Sequence, residues 1–161
     1  MQKKRNDSMV NYQLLLKQAR EIINTDPYYV PAMSNLSALL METLPELNWA
    51  GFYLKRVDML VVGPFQGKPA CIHIPAGKGV CGQAIAEDRM FNVPDVHQFP
   101  GHIACDSASN SEIVIPLHKN GKPAGVLDID SIRTDRFSTE DEEGLKAFAE
   151  MIEKHIKWPD A

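Results

Sequence analysis

The 161-residue chain is poor in the features that would place it in several broad classes. No apolar run approaches the roughly 18 residues that a membrane helix needs, and the polar start Met1-Gln2-Lys3-Lys4-Arg5-Asn6-Asp7 has no apolar signal core behind it. We therefore expect a cytoplasmic protein without a membrane partner. There is no basic excess either: 17 Lys and Arg against 21 Asp and Glu give a net charge of −4, which argues against a nucleic-acid partner. Closely spaced cysteine pairs are absent, and Cys71 with His73 plus the distant Cys81 and His102 lacks the usual ligand spacing, so no metal site is expected. Gly77-Lys78-Gly79 lacks the length and the Lys-Ser/Thr ending of a phosphate loop. Repeats, low-complexity stretches and interdomain linkers are missing as well, and the length suits one domain spanning residues 1–161. Met9-Val10 offers a second start, which would make residues 1–8 a flexible tail.

What is present is a regular alternation of elements. Tyr12, Leu15, Leu16, Ala19, Ile22 and Ile23 recur at helical spacing, predicting an amphipathic helix from about residue 8 to 24, ended by Asp26-Pro27. A second helix should start near Pro31 and present Met33, Leu36, Leu39, Leu40 and Leu44; the two helices would form a scaffold or a dimer surface. Trp49 to Leu54 and Met59 to Val62 read as adjacent strands, Gly63 to Pro69 as a loop, and Ala70 to Ile74 as a short strand carrying Cys71. A short helix over 79–87 would hold Cys81, and Phe91 to Val93 would be another strand. Pro94 to Asn110 is a long polar stretch of the kind that usually carries function. The hairpin signal is strongest at Ser111–Lys119, Asn120-Gly121 and Lys122–Ser131. Ser138 or Thr139 with Asp141 or Glu142 resembles a capping box opening a last helix that runs to about Lys157. The sum is an α+β fold, a mostly antiparallel sheet of about five or six strands with helices before, within and after it.

Three cysteines in a reducing compartment are more naturally reactive or incidental than a disulfide framework. Cys105 sits in a polar segment, reachable by solvent and substrate, with a small hydrophobe that happens to lie in a loop as the lesser alternative. Cys71 is open between strand packing and chemistry. Cys81 stands at a helix start, where the dipole would lower its pKa, and packing is an equal alternative. His102, three residues before Cys105, is either a surface residue or an aid to its thiolate. Asp128 and Asp130 share one strand face by alternation and belong in a pocket or in open water. With an unbroken ladder from the Asn120-Gly121 turn, facing residue numbers sum to 241, so Glu112 would point away from both aspartates. Pro116, which cannot donate to a ladder, marks a place where a bulge would alter that register. Trp49 and Tyr53 share a face, either as core or as the wall of a ligand site.

Taken in order, Asn48-Trp49-Ala50-Gly51-Phe52-Tyr53, Gly63-Pro64-Phe65-Gln66-Gly67, Gly77-Lys78-Gly79-Val80-Cys81-Gly82, Asp95-Val96-His97, Gly101-His102-Ile103-Ala104-Cys105-Asp106, Ser111-Glu112-Ile113-Val114 and Gly125-Val126-Leu127-Asp128-Ile129-Asp130-Ser131 resemble the free methionine-(R)-sulfoxide reductases, which are single GAF domains. The resemblance spans about Tyr12 to Ile156 and is specific as an ordered set. It implies that Cys105 is the nucleophile, Cys71 the resolving cysteine that pairs with it, and Cys81 a further thiol for recycling. It also implies a substrate pocket of Trp49, Tyr53, Glu112, Asp128 and Asp130, no bound cofactor, thioredoxin as electron donor, and a homodimer. Convergence of Glu112 with the aspartates requires a bulge or early strand departure around Glu112 to Pro116. Two other functions share parts of the pattern: a GAF sensor that only binds a small ligand, and a peroxide-sensing thiol switch that has no need of the acids.

Overall fold

The computed structural model describes residues 10–160; the expected tail, residues 1–8, lies outside them. The first helix, α1 (Tyr12–Thr25), starts where the Asn11 side chain accepts the Leu14 N–H, and it buries Leu15, Ala19 and Ile23. Helix α2 (Tyr29–Thr43) places Pro31 in its first turn, where no intrahelical donor is lost, and buries Met33, Leu36 and Leu40. Helix α4 (Thr139–His155) opens on a reciprocal capping box between Ser138 and Asp141. These three helices cover one face of the sheet, and the fourth, α3 (Gly79–Glu87), packs on the other.

Six strands form the sheet: β1 (Leu47–Arg56), β2 (Met59–Gly67), β3 (His73–Pro75), β4 (Phe91–Val93), β5 (Ser111–Lys119) and β6 (Lys122–Ser131). Their order is β3-β2-β1-β6-β5-β4, with every neighbouring pair antiparallel. Strand β2 runs straight through Gly63-Pro64-Phe65-Gln66-Gly67, a stretch whose composition reads as a loop. The ladder with β1 shifts between Gly51 and Tyr53, so the single Phe52 spans Gly63 and Pro64. A proline loses nothing where the ladder is already interrupted. Gly51 is required beside that bulge, because a Cβ there would run into the Cβ of Phe65.

The two faces have separate cores. Ala50, Phe52, Ile113, Ile115, Leu117, Leu127 and Ile129 meet the helices α1, α2 and α4, and each large side chain enclosed there contributes about 1.5–3 kcal/mol. Trp49, Tyr53, Val114 and Val126 face α3 together with Val80, Cys81, Ala84 and Ile85. The hairpin has both Asn120 (φ 53°) and Gly121 (φ 75°) in the left-handed region, as a type I′ turn demands. Its register starts as the turn dictates, Lys119 opposite Lys122 and His118 opposite Pro123, and then slips by one, since Leu117 faces Gly125. Ala124 is the extra residue. The expected bulge between Glu112 and Pro116 is therefore not there: the ladder is regular from Ser111 to Leu117, and the slip lies beside the turn. Beyond it the numbers sum to 242, and Glu112 faces Asp130.

Among the described residues no helix is long and apolar enough to cross a membrane.

Candidate active site

The register builds the site row by row. Trp49, Asp130 and Glu112 lie side by side across β1, β6 and β5, and the next row is Gly51, Asp128 and Val114. Antiparallel partners point the same way, so three carboxyl groups gather on one patch of sheet, roofed by α3. Glu112 and Asp128 are buried, and Oδ1 of both Asp128 and Asp130 is enclosed without a hydrogen-bond partner among the described residues. Lys78 lines the same cavity. Burial raises all three carboxyl pKa values well above the ordinary range, and mutual repulsion adds to it: Asp128 on Glu112, Asp130 on Asp128 and Glu112 on Asp130.

Cys105 and Cys71 are joined by a disulfide across 34 residues of chain, with Cα atoms 5.5 Å apart. Strand β3 begins only at His73, so Cys71 lies in the irregular segment before it and not in a strand as its neighbours suggest. The ladder with β2 stops at Val61 opposite His73, which frees Cys71 to turn toward the loop. Its carbonyl accepts the Tyr53 hydroxyl at 3.1 Å. The Cys105 loop is held from the other side by Asn48, whose amide nitrogen donates to Asp106 at 3.0 Å and to Ser109 at 2.9 Å. Asn48 is the extra residue where β1 slips against β6, and the slip gives a polar side chain a place at the site's edge.

The two cysteines thus close a cavity that Cys105, Trp49, Tyr53, Glu112, Asp128 and Asp130 line with Cys81, His102 and Ile103. Every residue that the resemblance assigns to a pocket is brought to this one place, and Cys71 borders it through the disulfide. Its volume of about 40 Å³ has room for a few waters and no amino acid. His102 lines it too, and burial, helped by His97, lowers its pKa, so it supplies a neutral ring in place of a thiolate-stabilising charge.

Cys81 takes the packing role of the two readings left open for it. It occupies the first turn of α3, yet its thiol is buried, and its Sγ lies 3.9 Å from Glu112 Oε2. Desolvation and the carboxylates raise its pKa well above the usual thiol value, overriding any lowering by the helix dipole. It is a protonated wall in this conformation.

Reasoning on the sequence missed Phe65 and gave no role to Asn48. Phe65 stacks on Trp49 with ring centroids 5.1 Å apart, and Trp49 stacks on Tyr53 at 5.8 Å, an aromatic wall carried on β1 and β2. Phe65 lay in the stretch read as a loop, and the bulge at Gly63-Pro64 puts it on the same face as Val62, three residues away, so simple alternation gave no signal for it.

Comparison with known proteins places this geometry. The GAF domain model matches residues 11–156. Protein YtsP of Bacillus subtilis is 50% identical over 158 residues, covering 97% of each chain. The free methionine-R-sulfoxide reductase of Escherichia coli is 53% identical over 132 residues, 82% of this chain and 80% of its own. The fRMsr of Staphylococcus aureus, solved in complex with substrate, superposes with a TM-score of 0.87 at 53% identity, covering 92% of this chain and 97% of its own. On the matched length, the identity and the shared fold, the chain belongs to the free methionine-(R)-sulfoxide reductase family of GAF domains.

Proposed function

We propose that this protein reduces free L-methionine (R)-sulfoxide to L-methionine, with Cys105 as nucleophile, Cys71 as resolving cysteine and thioredoxin as electron donor, and with no bound cofactor. The observation that carries the reading is the Cys71–Cys105 bond beside a cavity lined by three clustered carboxyl groups, two of them buried.

The chemistry follows from what those groups hold. In the reduced protein the Cys105 thiolate attacks the sulfoxide sulfur, whose oxygen needs a proton. The cluster cannot ionise fully, so one of Glu112, Asp128 and Asp130 keeps a proton near neutral pH and supplies it. Oxygen passes to Cys105 as a sulfenic acid, and methionine leaves with its sulfur reduced by two electrons. The Cys71 thiol then displaces water from the sulfenic acid and forms the disulfide. The ionised remainder of the cluster suits the substrate ammonium, and backbone N–H groups near Ile103 to Cys105 suit its carboxylate. A peptide-bound residue lacks the free ammonium and does not fit so enclosed a space. Cys81 enters exchange only after the loop lifts. The protein acts as a homodimer in this reading, which sedimentation velocity checks.

The test is NADPH consumption with thioredoxin and its reductase on free R, free S and peptide-bound methionine sulfoxide. Turnover of the free R form alone is expected. Cys105→Ser should abolish it, while Cys71→Ser should retain one stoichiometric reduction and lose cycling. Substantial multiple turnover by Cys105→Ser would overturn the assignment. Ligand binding without any sulfoxide consumption would point to a sensor, and oxidation by peroxide alone would point to a thiol switch.

A further inference from the structure

The exposed ground around the disulfide is unlike the rest of the acidic surface. Ile72, directly after Cys71, is 59% exposed, and Ile103, two residues before Cys105, is 38% exposed. The disulfide brings their two segments together. Ile103 stays near the bond because it lies over Gly79, where a Cβ would come within 3.2 Å of its Cγ1; φ of +64° favours glycine there as well. The Cys71 segment also carries exposed Lys68 and His73, and Lys78 follows β3. The nearby acid, Asp106, is engaged by the Ala108 N–H and by Asn48, which with the charge of Lys68 hold its pKa down; Lys68 is partly offset by it, and Lys78 adds a second positive charge to the rim. A chain of net charge −4 thus has a locally basic, apolar rim at its one disulfide among the described residues.

We propose that this rim is the landing site of the protein reductant, a Cys-X-X-Cys dithiol with an apolar platform and acidic surroundings, with Ile72 and Ile103 as anchors and Lys68 as the steering charge. The inference rests on the reading above that the disulfide is cycled. Thiol–disulfide exchange needs the attacking sulfur in line with the bond, so a protein donor must settle flat against the two sulfurs. Exposed apolar side chains gathered at a reactive bond supply that footing, whereas ones scattered singly do not. A thiolate of the partner attacks one sulfur of the Cys71–Cys105 bond, and the other sulfur leaves as a thiolate. The partner's second thiol then attacks the mixed disulfide. Cys71 and Cys105 end as thiols carrying the partner's two protons, and the partner ends as a disulfide. The opposite charges give the approach its salt dependence.

The experiment compares thioredoxin with dithiothreitol as reductant of the full-length oxidised protein, followed by free-thiol count, and of the cycling protein, followed by sulfoxide turnover. Neither Ile72 nor Lys68 lines the cavity. Ile72→Asp is expected to raise the KM for thioredoxin about tenfold, while dithiothreitol-driven rates stay within about twofold and Ile72→Leu behaves like the parent. Lys68→Glu should raise the same KM and remove most of its dependence on salt. An unchanged KM in Ile72→Asp, or an equal slowing with dithiothreitol, would overturn the landing site. Disulfide reduction by thioredoxin that obeys these expectations without any sulfoxide turnover would instead overturn the catalytic reading and leave the landing site standing.

Discussion

At the scale of single residues the decisive fact is the crowding of three carboxyl groups on one enclosed patch of sheet. Glu112, Asp128 and Asp130 keep protons in the folded protein at pH values where the unfolded chain has shed them, because burial and repulsion raise their pKa values. The linkage therefore runs opposite to that of a salt-bridged carboxylate. Their stabilising contribution is fully present below the unfolded carboxyl value, near pH 4, and is lost as pH rises through the raised folded values. Asp128→Asn removes one of the competing charges. It should raise stability at pH 8 by on the order of 1–2 kcal/mol and flatten the alkaline loss, read by thermal melts between pH 5 and 9. The same change should cut sulfoxide turnover by about a hundredfold or more if proton delivery is the role of the cluster, so stability and activity move in opposite directions. The pairing of the two aspartates on one face was legible from alternation alone. Their meeting with Glu112 was not, since it depends on one residue of register, and only the family resemblance required it.

At the scale of elements, the hairpin shows why. The type I′ turn at Asn120-Gly121 fixes the first two pairs, and extending that register would set Ile113 opposite Asp128, an apolar and an acidic side chain on the same face. The helix-side core needs Ile113, Ile115, Leu117, Leu127 and Ile129 together. Burial of five large side chains outweighs one interrupted pair, and the mismatch is taken up at Ala124, beside the turn, where an unpaired backbone group reaches water easily. The turn, the capping box and all three large helices were legible from local chemistry. Strand β2 past Val62 was masked by Gly63-Pro64, and the strand expected for Cys71 was overruled by its bond to Cys105. Helix α4 offers the clearest test of element stability. Asp141 caps the helix through Ser138, accepts the Tyr12 hydroxyl at 2.6 Å and pairs with the equally enclosed Arg136 at 3.0 Å. Asp141→Ala strands that guanidinium and should cost about 3–5 kcal/mol, measured by chemical denaturation with the slope unchanged.

At the scale of the molecule, the disulfide and the substrate compete for one space. On the proposed function, a cavity of about 40 Å³ has no room for an amino acid, so the loop from Phe99 to Asn110 would lift before methionine sulfoxide enters. Equilibrium dialysis with free methionine sulfoxide should find binding to Cys105→Ser and none to the oxidised parent, and initial-rate plots against substrate at several thioredoxin concentrations should be parallel. Equal binding by both forms would mean that the lid closes nothing.

The sheet also separates two kinds of failure. Since one face of β5 supports the helices and the other holds the acids, neighbouring codons along 111–117 answer to different selections. In a saturation library scored first for cellular abundance and then for growth on the sulfoxide as methionine source, Ile113, Ile115 and Leu117, and Val114 of the second core, should fail the first screen, and Glu112 only the second. Damage to the scaffold and damage to the chemistry would thus be told apart between the adjacent positions 112 and 113 of a single strand.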